Sequence, residues 1–282
     1  MTFPILPPCP MDLVALYLEL IVLGIGAGFL AGLLGIGGGM VLVPFLTALL
    51  TSQAVGVSAD LGVKMAIATS MATIVFTSAS SVYAHQRRGA LRWDLVKLLA
   101  PGIVIGSLVA SAGVFALLKG RWLAAGFGVF VAWSALKMLQ ARKAGADKPL
   151  PGPAGLAAAG GGIGFMSGMV GAGGGFISVP YMTNRSVPMH TAVATSAALG
   201  FPIALTNVAG YIWSGLQAPN LPPHALGYVW LPGLVTIAIF SMLTAPFGAK
   251  AAHALPVLKL KRIFACLLLL LAAYMLYKAA RG

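Results

Sequence analysis

Two runs of three glycines, each inside apolar sequence, are the residues of this chain whose type and spacing most suggest a binding function. They are Gly37, Gly38 and Gly39, and then Gly173, Gly174 and Gly175. Irregular backbone inside hydrocarbon is tolerated only where protein buries it or a cavity borders it. At the start of a helix, backbone N–H groups and the helix dipole attract an anion. We therefore predict that both runs interrupt helices and bind a small anion, with close helix packing as the alternative.

Two Ala-Thr-Ser sequences supply hydroxyl groups at matching places in the two halves of the chain. The first ends in Thr69 and Ser70, and the second ends in Thr195 and Ser196, 126 positions later (195 − 69 = 126). A hydroxyl inside an apolar helix either bonds to a carbonyl of the preceding turn or faces a ligand. The repetition favours a site. Further hydroxyls follow the first pair at helical spacing, on Thr73, Thr77, Ser80 and Ser81.

Three more polar side chains lie in apolar surroundings. Lys64 and His190 each precede a Thr-Ser pair by about one helical turn, and Asn207 stands alone in an apolar run. Embedded ionisable groups are candidates for function, whereas a basic side chain near a helix end can instead extend to the membrane surface. A buried Asn either joins two helices or contacts a ligand. We include all three residues in the predicted substrate-binding site.

The composition indicates that these residues belong to a membrane protein. The chain is 59% hydrophobic and 8% charged over 282 residues, with a mean hydropathy of +0.95. That is more apolar side chain than a soluble domain of this length can bury. The net charge of +13 comes from basic residues that fall between apolar runs. This distribution is typical of membrane loops, so we do not expect nucleic-acid binding.

The sequence carries no pattern of an enzyme, a metal site or a cofactor site. Cys9 and Cys266 are too far apart in the sequence to suggest a disulfide or metal framework, and no phosphate-binding loop of an ATPase appears. The embedded groups that could carry a proton are Glu19, His85 and His190. We therefore expect no enzymatic activity and no cofactor or metal. The expected partners are the lipid bilayer and a small anion.

The apolar runs predict an all-α, polytopic fold with eight to ten membrane segments, because a spanning helix needs about 20 apolar residues. The clear candidates are residues 13–34, 64–84, 95–117, 122–140, 191–214, 227–249 and 262–279. Two less regular stretches, 40–58 and 154–183, follow or contain a glycine run. We interpret each run as a break between short helices or half-helices that are re-entrant or fully crossing.

The motifs recur in the same order, which predicts two membrane repeats of five elements each. We place the first repeat at residues 1–140, a cytoplasmic linker at 141–153 and the second repeat at 154–282. Because five is an odd number, the second repeat should be inverted relative to the first. Paired glycine breaks in inverted repeats are typical of a transporter site at the repeat interface.

The basic residues predict the orientation of the chain. The loops at 85–94, 141–153 and 250–261 are flanked by Lys and Arg, whereas the loop around 217–226 has none. Cytoplasmic loops of membrane proteins are enriched in these residues. We therefore predict that the three basic loops are cytoplasmic and that both termini are extracytoplasmic.

These motifs resemble the TauE/SafE family of sulfite exporters, which are membrane permeases. The resemblance rests on the two glycine runs with Pro44 and Pro180, on the Ala-Thr-Ser pairs, and on the sequence Asn207-Val208-Ala209-Gly210-Tyr211. It covers nearly the whole chain. It implies transport of a sulfur-containing anion, such as sulfite or a sulfonate, across the bacterial inner membrane, generally outward. Lys64 departs from the family pattern, in which His is commoner at this position.

The combined interpretation is a secondary transporter that works by alternating access. An anion channel and a transporter of a different small solute are the alternatives. A membrane enzyme and a membrane-embedded assembly subunit without transport are two further alternatives. The sequence leaves open the anion, the direction, the coupling ion and the oligomeric state, with a homodimer among the states it allows.

Overall fold

The computed structural model describes residues 10–34, 38–52, 55–140, 149–216, 218–254 and 257–281. Within them the chain is almost entirely helical. The helices are α1 (Pro10–Leu34), α2 (Gly39–Leu50), α3 (Ala59–Gln86), α4 (Trp93–Leu108), α5 (Phe115–Leu117), α6 (Gly120–Gln140), α7 (Pro153–Val170), α8 (Gly175–Thr183), α9 (Met189–Gly215), α10 (Leu231–Ala254) and α11 (Val257–Arg281). A π-helical turn at Val109–Val114 joins α4 to α5. Two short antiparallel strands, β1 (Ala225–Leu226) and β2 (Val229–Trp230), form a hairpin before α10.

Five of the described helical stretches are long and apolar enough to cross a bilayer. They are Leu13–Leu33, Ala59–Gln86, Trp93–Leu117, Met189–Gly215 and Leu231–Ala251. Their outward faces carry large apolar side chains, and Leu117 and Trp213 are 87% and 76% exposed. Exposed apolar surface of this extent requires a lipid environment. The predicted all-α, multi-pass membrane fold is confirmed.

Helices α3 and α9 form the centre of the molecule. They pack against each other, and 72% and 67% of their most apolar stretches are buried, against 22% for α1. The short helix α2 packs on α3, and α8 packs on α9. These central helices carry both Thr-Ser pairs and both glycine-run helix starts, so the candidate residues lie in the interior.

The outer helices pair across the two halves of the chain. Helix α1 packs against α10 while α4 packs against α7, and α6 packs against α11. We match α7, α8, α9, α10 and α11 to α1, α2, α3, α4 and α6, in that order. Under this matching the contact of α1 with α10 corresponds to the contact of α7 with α4, and the contact of α6 with α11 corresponds to itself. This is the pattern expected of two halves related by a two-fold axis. Residues 141–148 lie outside the described part, and the limits of the two repeats and the linker stay a prediction.

Small residues allow the outer pairs to approach closely. A Cβ added at Gly28 or Gly32 of α1 would lie within 2.4 Å of backbone atoms of α10. On α4, a Cβ at Gly102 or Gly106 would lie within 2.0 Å of carbonyl oxygens of α7. Glycine at four-residue spacing is the usual way for membrane helices to bring their backbones together. These glycines therefore account for the two matching helix pairs.

Each glycine run precedes a helix that is too short to cross the membrane. Helix α2 has 12 residues and α8 has 9, or about 18 and 14 Å at 1.5 Å per residue, against about 30 Å of hydrocarbon. Both follow a glycine in the left-handed region, Gly38 with φ +71° and Gly174 with φ +75°. The first break lies between the 25-residue α1 and a half-helix. The prediction of short helices is therefore right for the segment after each break.

Two local features differ from the sequence-based expectation. The predicted span 95–117 contains the π-helical turn at Val109–Val114. The predicted span 227–249 begins at Leu231 instead, because Gly227, with φ +55°, turns the chain into the hairpin. Pro232 in the first turn of α10 suits a helix start, where its missing N–H has no intrahelical partner.

Candidate functional site

The two glycine segments meet at the hydroxyl of Ser70 on α3. Ser70 Oγ lies 3.4 Å from the carbonyl oxygen of Gly39 and 3.2 Å from that of Gly171, so its single O–H can donate to either of them. A Cβ added at Gly39 would lie 2.3 Å from the carbonyl oxygen of Gly171. The segments therefore touch each other in the interior at a contact that only glycine allows. Gly37 lies outside the described residues.

Both helix starts that follow the glycine runs are buried in the interior. In α2, the N–H groups of Val41 and Leu42 donate to the carbonyl of Gly38, and in α8 the N–H of Ser178 donates to the carbonyl of Gly174. The N–H groups of the first turn of a helix have no acceptor within that helix. Two positive helix ends, at Gly39 and Gly175, therefore lie in the protein interior, where they favour a negative charge.

Four of the eight residues that line a small cavity beside the second glycine run carry hydroxyl groups. Its lining residues are Ala31 of α1, Thr77, Ser78 and Ser81 of α3, Gly173, and Ser196, Ala197 and Gly200 of α9. None of these residues is charged. The centre of a water molecule has about 10 Å³ available in it, which is room for about one water. Two predicted site residues, Gly173 and Ser196, line this cavity.

The hydroxyls around the cavity differ in what they already bind. Thr77 Oγ1 donates to the carbonyl of Thr73 at 2.8 Å and lies 3.0 Å from Ser241 Oγ, and Ser196 Oγ lies 2.8 Å from Ser178 Oγ. Ser81 Oγ is buried and has no hydrogen-bond partner among the described residues. A hydroxyl can rotate to donate or accept as a ligand requires. The cavity therefore presents adjustable donors to a small polar ligand.

The two threonines of the Thr-Ser pairs join the halves of the chain. Thr69 on α3 accepts a hydrogen bond from the N–H of Trp230, the residue before α10, at 3.0 Å. Thr195 on α9 accepts one from the N–H of Arg92, the residue before α4, at 3.3 Å. Both threonines are fully buried. Each therefore holds the start of a helix from the opposite half, in matching geometry.

Replacing either threonine by valine should lower the thermal stability of the protein. Thr69→Val and Thr195→Val each leave a backbone N–H without its acceptor, which costs about 1–3 kcal/mol for a buried group. The melting temperature in detergent, measured by intrinsic fluorescence, should fall for both variants. Thr236→Val is the control, because among the described residues the Thr236 hydroxyl bonds to the carbonyl of Pro232 in its own helix and not to another segment. Wild-type melting of both test variants would contradict the assignment.

A model of the TauE/SafE sulfite exporter family matches residues 20–275 of the chain. The chain belongs to this family. A probable membrane transporter protein of Haemophilus influenzae is 36% identical over 260 residues, covering 92% of this chain and 97% of that protein. A probable membrane transporter protein of Bacillus subtilis is 30% identical over 79% of this chain and 88% of its own length. One from Methanocaldococcus jannaschii is 27% identical over 80% of each chain. No solved structure shows a significant match.

The two basic residues at equivalent sequence positions lie in different surroundings in this TauE/SafE protein. Lys64 is buried, donates to the carbonyl of Ala116 at 3.3 Å and lies 5.6 Å from the ring centre of Tyr228. His190 is exposed at the start of α9. Burial, with Asp60 nearby, raises the pKa of the Tyr228 phenol, so Lys64 contacts a neutral ring. Neither Lys64 nor His190 lines the cavity.

Asn207 lies apart from the cavity lining, deep between α9 and α7. Its side chain is fully buried, and its Nδ2 donates to the carbonyl of Ile203 at 2.8 Å. Its Oδ1 has no hydrogen-bond partner in the described part of the chain. A Cβ added at Gly168 of α7 would lie 2.3 Å from this oxygen. Asn207 therefore contacts the opposite helix through an oxygen that accepts no hydrogen bond there.

Proposed function

We propose that the chain is a secondary transporter that moves a small sulfur-containing anion, of the sulfite or organosulfonate class, outward across the bacterial inner membrane. The observation that carries the proposal is that the helix starts at Gly39 and Gly175 are both buried in the interior, and that Gly173 of the second run lines a cavity together with four hydroxyl side chains. Membership of the TauE/SafE family supports the choice of a sulfur oxyanion. The anion and the surrounding lipid are the proposed partners.

Uncharged donors suit this class of anion. The oxygen atoms of a sulfite or sulfonate only accept hydrogen bonds, and bonds from N–H and O–H groups to an ionised acceptor are strong away from water. The proposed contacts combine the glycine runs with the hydroxyls nearest to them. They are Gly37, Gly38, Gly39, Gly173, Gly174, Gly175, Ser70, Ser196, Thr77, Ser78 and Ser81. Thr69 and Thr195 position the two halves in this proposal.

The size of the cavity supports a mechanism of alternating access. Room for about one water is less than a sulfite ion needs, so binding requires the walls to move apart. The cavity lies between α1, α3 and α9, and therefore between helices of both halves. Rocking of one half against the other would widen it and open it to one side of the membrane at a time.

Thermal stabilisation by ligands tests the proposed substrate class. Sulfite or sulfoacetate should raise the melting temperature of the detergent-purified protein, because a ligand that binds only the folded state stabilises it. The shift should shrink in Ser81→Ala and Ser196→Ala. Ser134→Ala is the matched control, since Ser134 is also a buried hydroxyl without a partner among the described residues but lies on α6. If neither anion stabilises the wild type at millimolar concentration, the proposed substrate class is wrong.

The proposed orientation predicts which loops an impermeant thiol reagent reaches. On a background without Cys9 and Cys266, a cysteine at Pro219 should be labelled in intact cells, whereas cysteines at Gln86 and Pro149 should be labelled only after permeabilisation. The reason is that basic loops are retained in the cytoplasm. Mass-shift labelling with a maleimide provides the measurement. Labelling of Pro149→Cys from outside would contradict the inverted arrangement of the halves.

A further inference from the structure

Three buried oxygen atoms lie without partners among the described residues near the C-terminal end of α7. They are Ser107 Oγ on α4, Ser167 Oγ on α7 and Asn207 Oδ1 on α9, and none has a hydrogen-bond partner among the described residues. Their residues are 0%, 2% and 0% exposed. Buried polar atoms in proteins are nearly always satisfied, so a group of exceptions requires an explanation such as an ion or a bound water.

The oxygens lie along the last two turns of α7. A Cβ added at Gly164 would lie 2.9 Å from Ser107 Oγ, and one added at Gly168 would lie 2.3 Å from Asn207 Oδ1. Gly164 and Gly168 are four residues apart and share one face of α7. Ser167 belongs to the same turn, and a Cβ at Gly174 would lie 3.1 Å from its Oγ. Three helices therefore direct oxygen atoms at the C-terminal end of α7.

The orientation of the Asn207 amide makes this end of α7 rich in acceptors. Because Nδ2 donates to the carbonyl of Ile203, the unpartnered atom is the carbonyl oxygen. Helix α7 ends at Val170, with Gly171 in the left-handed region as its cap, and the last carbonyls of a helix carry the negative end of its dipole. The π-helical turn at Val109–Val114 packs against both α7 and α9, and such turns are frequent at functional sites.

Neutral oxygens at a helix C-terminus favour a monovalent cation. Side-chain oxygens and half-helix carbonyls coordinate Na⁺ in transporters with broken helices. A divalent ion would call for carboxylates, and Ser107, Ser167 and Asn207 supply none. We propose that the chain binds Na⁺ at this position, with Asn207 Oδ1, Ser167 Oγ and Ser107 Oγ among its ligands. Resting on the proposed transport function, the site supplies the coupling ion of the carrier.

Two residues of the site match residues that line the cavity beside the second glycine run when the halves are exchanged. Asn207 matches Ser81 at the offset of the Thr-Ser pairs (207 − 81 = 126), and Ser167 matches Ala31 at the offset of the glycine runs (167 − 31 = 136). Ser81 and Ala31 both line the cavity. One half thus contributes a hydroxyl where the other contributes a carbonyl oxygen.

Melting temperatures in different salts test the cation site without any anionic substrate. The full chain in detergent is compared in NaCl, KCl and choline chloride at equal ionic strength. The melting temperature should rise with Na⁺ concentration and saturate, and binding of ²²Na⁺ should saturate over the same range. In Ser167→Ala the Na⁺ concentration for half of the effect should increase at least tenfold, and in Asn207→Ala the response should be lost. Ser134→Ala should respond like the wild type.

Two results would overturn the cation site. One is the same wild-type melting temperature in all three salts with no saturable ²²Na⁺ binding, which would leave a water as the occupant. The other is a Ser167→Ala variant whose melting temperature depends on Na⁺ concentration as in the wild type. This result would contradict the cation site even if Asn207→Ala fails to fold. The anion site fails separately. If Na⁺ raises the melting temperature but sulfite and sulfoacetate do not, only the proposed substrate is contradicted. If the anions raise it but Na⁺ does not, only the cation site is contradicted.

Discussion

Replacing Gly38 or Gly174 by valine should reduce transport to less than about a tenth of the wild-type rate, while both variants still insert into the membrane. Both glycines have φ above +70°, a region that costs an L-residue about 1–2 kcal/mol and that β-branched side chains avoid. A Cβ at Gly38 would also lie 2.6 Å from the backbone oxygen of Ala27, and one at Gly174 would lie 2.5 Å from the Ile203 side chain. The helix start would therefore shift, and a tenfold change needs only about 1.4 kcal/mol.

Two control variants separate the possible causes of that loss. Gly56→Val has the same backbone strain, with φ +70°, but a Cβ there meets nothing within 4 Å. Gly26→Val on α1 is neither strained nor crowded. Both should insert and transport nearly as the wild type does, as measured by sulfite flux into proteoliposomes. Wild-type flux in Gly38→Val and Gly174→Val would show that the glycine runs are not the site.

Gly200→Ala should abolish most transport without loss of stability, which makes it the sharpest test of the cavity. The added methyl group would meet its nearest neighbour, Ser78 Cβ, at 3.4 Å and the carbonyl oxygen of Gly173 at 3.7 Å, and these are ordinary contacts. Alanine is preferred to glycine inside a helix by about 1 kcal/mol. The methyl group would nevertheless occupy a cavity with room for about one water. We expect at least a tenfold lower flux and an unchanged or higher melting temperature.

Gly162→Ala provides the matched control for this substitution. Gly162 lies inside α7, and a Cβ there meets nothing within 4 Å. Its flux should equal that of the wild type, and its melting temperature should be unchanged or higher. If Gly200→Ala transports at the same rate as Gly162→Ala, the cavity between α1, α3 and α9 is not on the path of the anion.

The sequence was sufficient to predict the elements that depend on local composition. Uninterrupted apolar runs require spanning helices, and three adjacent glycines next to such runs weaken a helix enough to break it. Gly38 and Gly174 therefore mark real helix starts in the same left-handed conformation. Because the motifs repeat, the sequence also predicts that both glycine runs break a helix in the same way.

The contacts of the site could not be predicted, because they depend on packing between distant segments. Ser241 on α10 reaches Thr77, which is 164 positions away along the chain. Gly200 has no local signal that distinguishes it from the other helical glycines. The sequence predicts Thr69 and Thr195 to be an equivalent pair, but their partners, Trp230 and Arg92, become apparent only when α10 and α4 are in place.

Equivalent sequence positions also proved to have different surroundings. Lys64 is held by a carbonyl oxygen and lies near an aromatic ring, whereas His190 is exposed. The hairpin that supplies Tyr228 precedes α10, and its turn depends on Gly227. Because Gly227 begins an apolar run, hydropathy alone assigned it to the predicted span 227–249. An internal repeat therefore predicts matching backbones better than it predicts matching side-chain roles.

Counterflow of labelled sulfite in proteoliposomes is the most direct test of the central claim. A carrier that exposes one site alternately should take up external ³⁵S-sulfite faster into vesicles preloaded with unlabelled sulfite than into empty ones. The rate should saturate with external concentration, and Gly200→Ala should lose the stimulation while Gly162→Ala keeps it. Sulfoacetate is tested in the same way for the sulfonate class. If preloaded and empty vesicles take up both anions at the rate of protein-free vesicles, the transport function proposed here is contradicted.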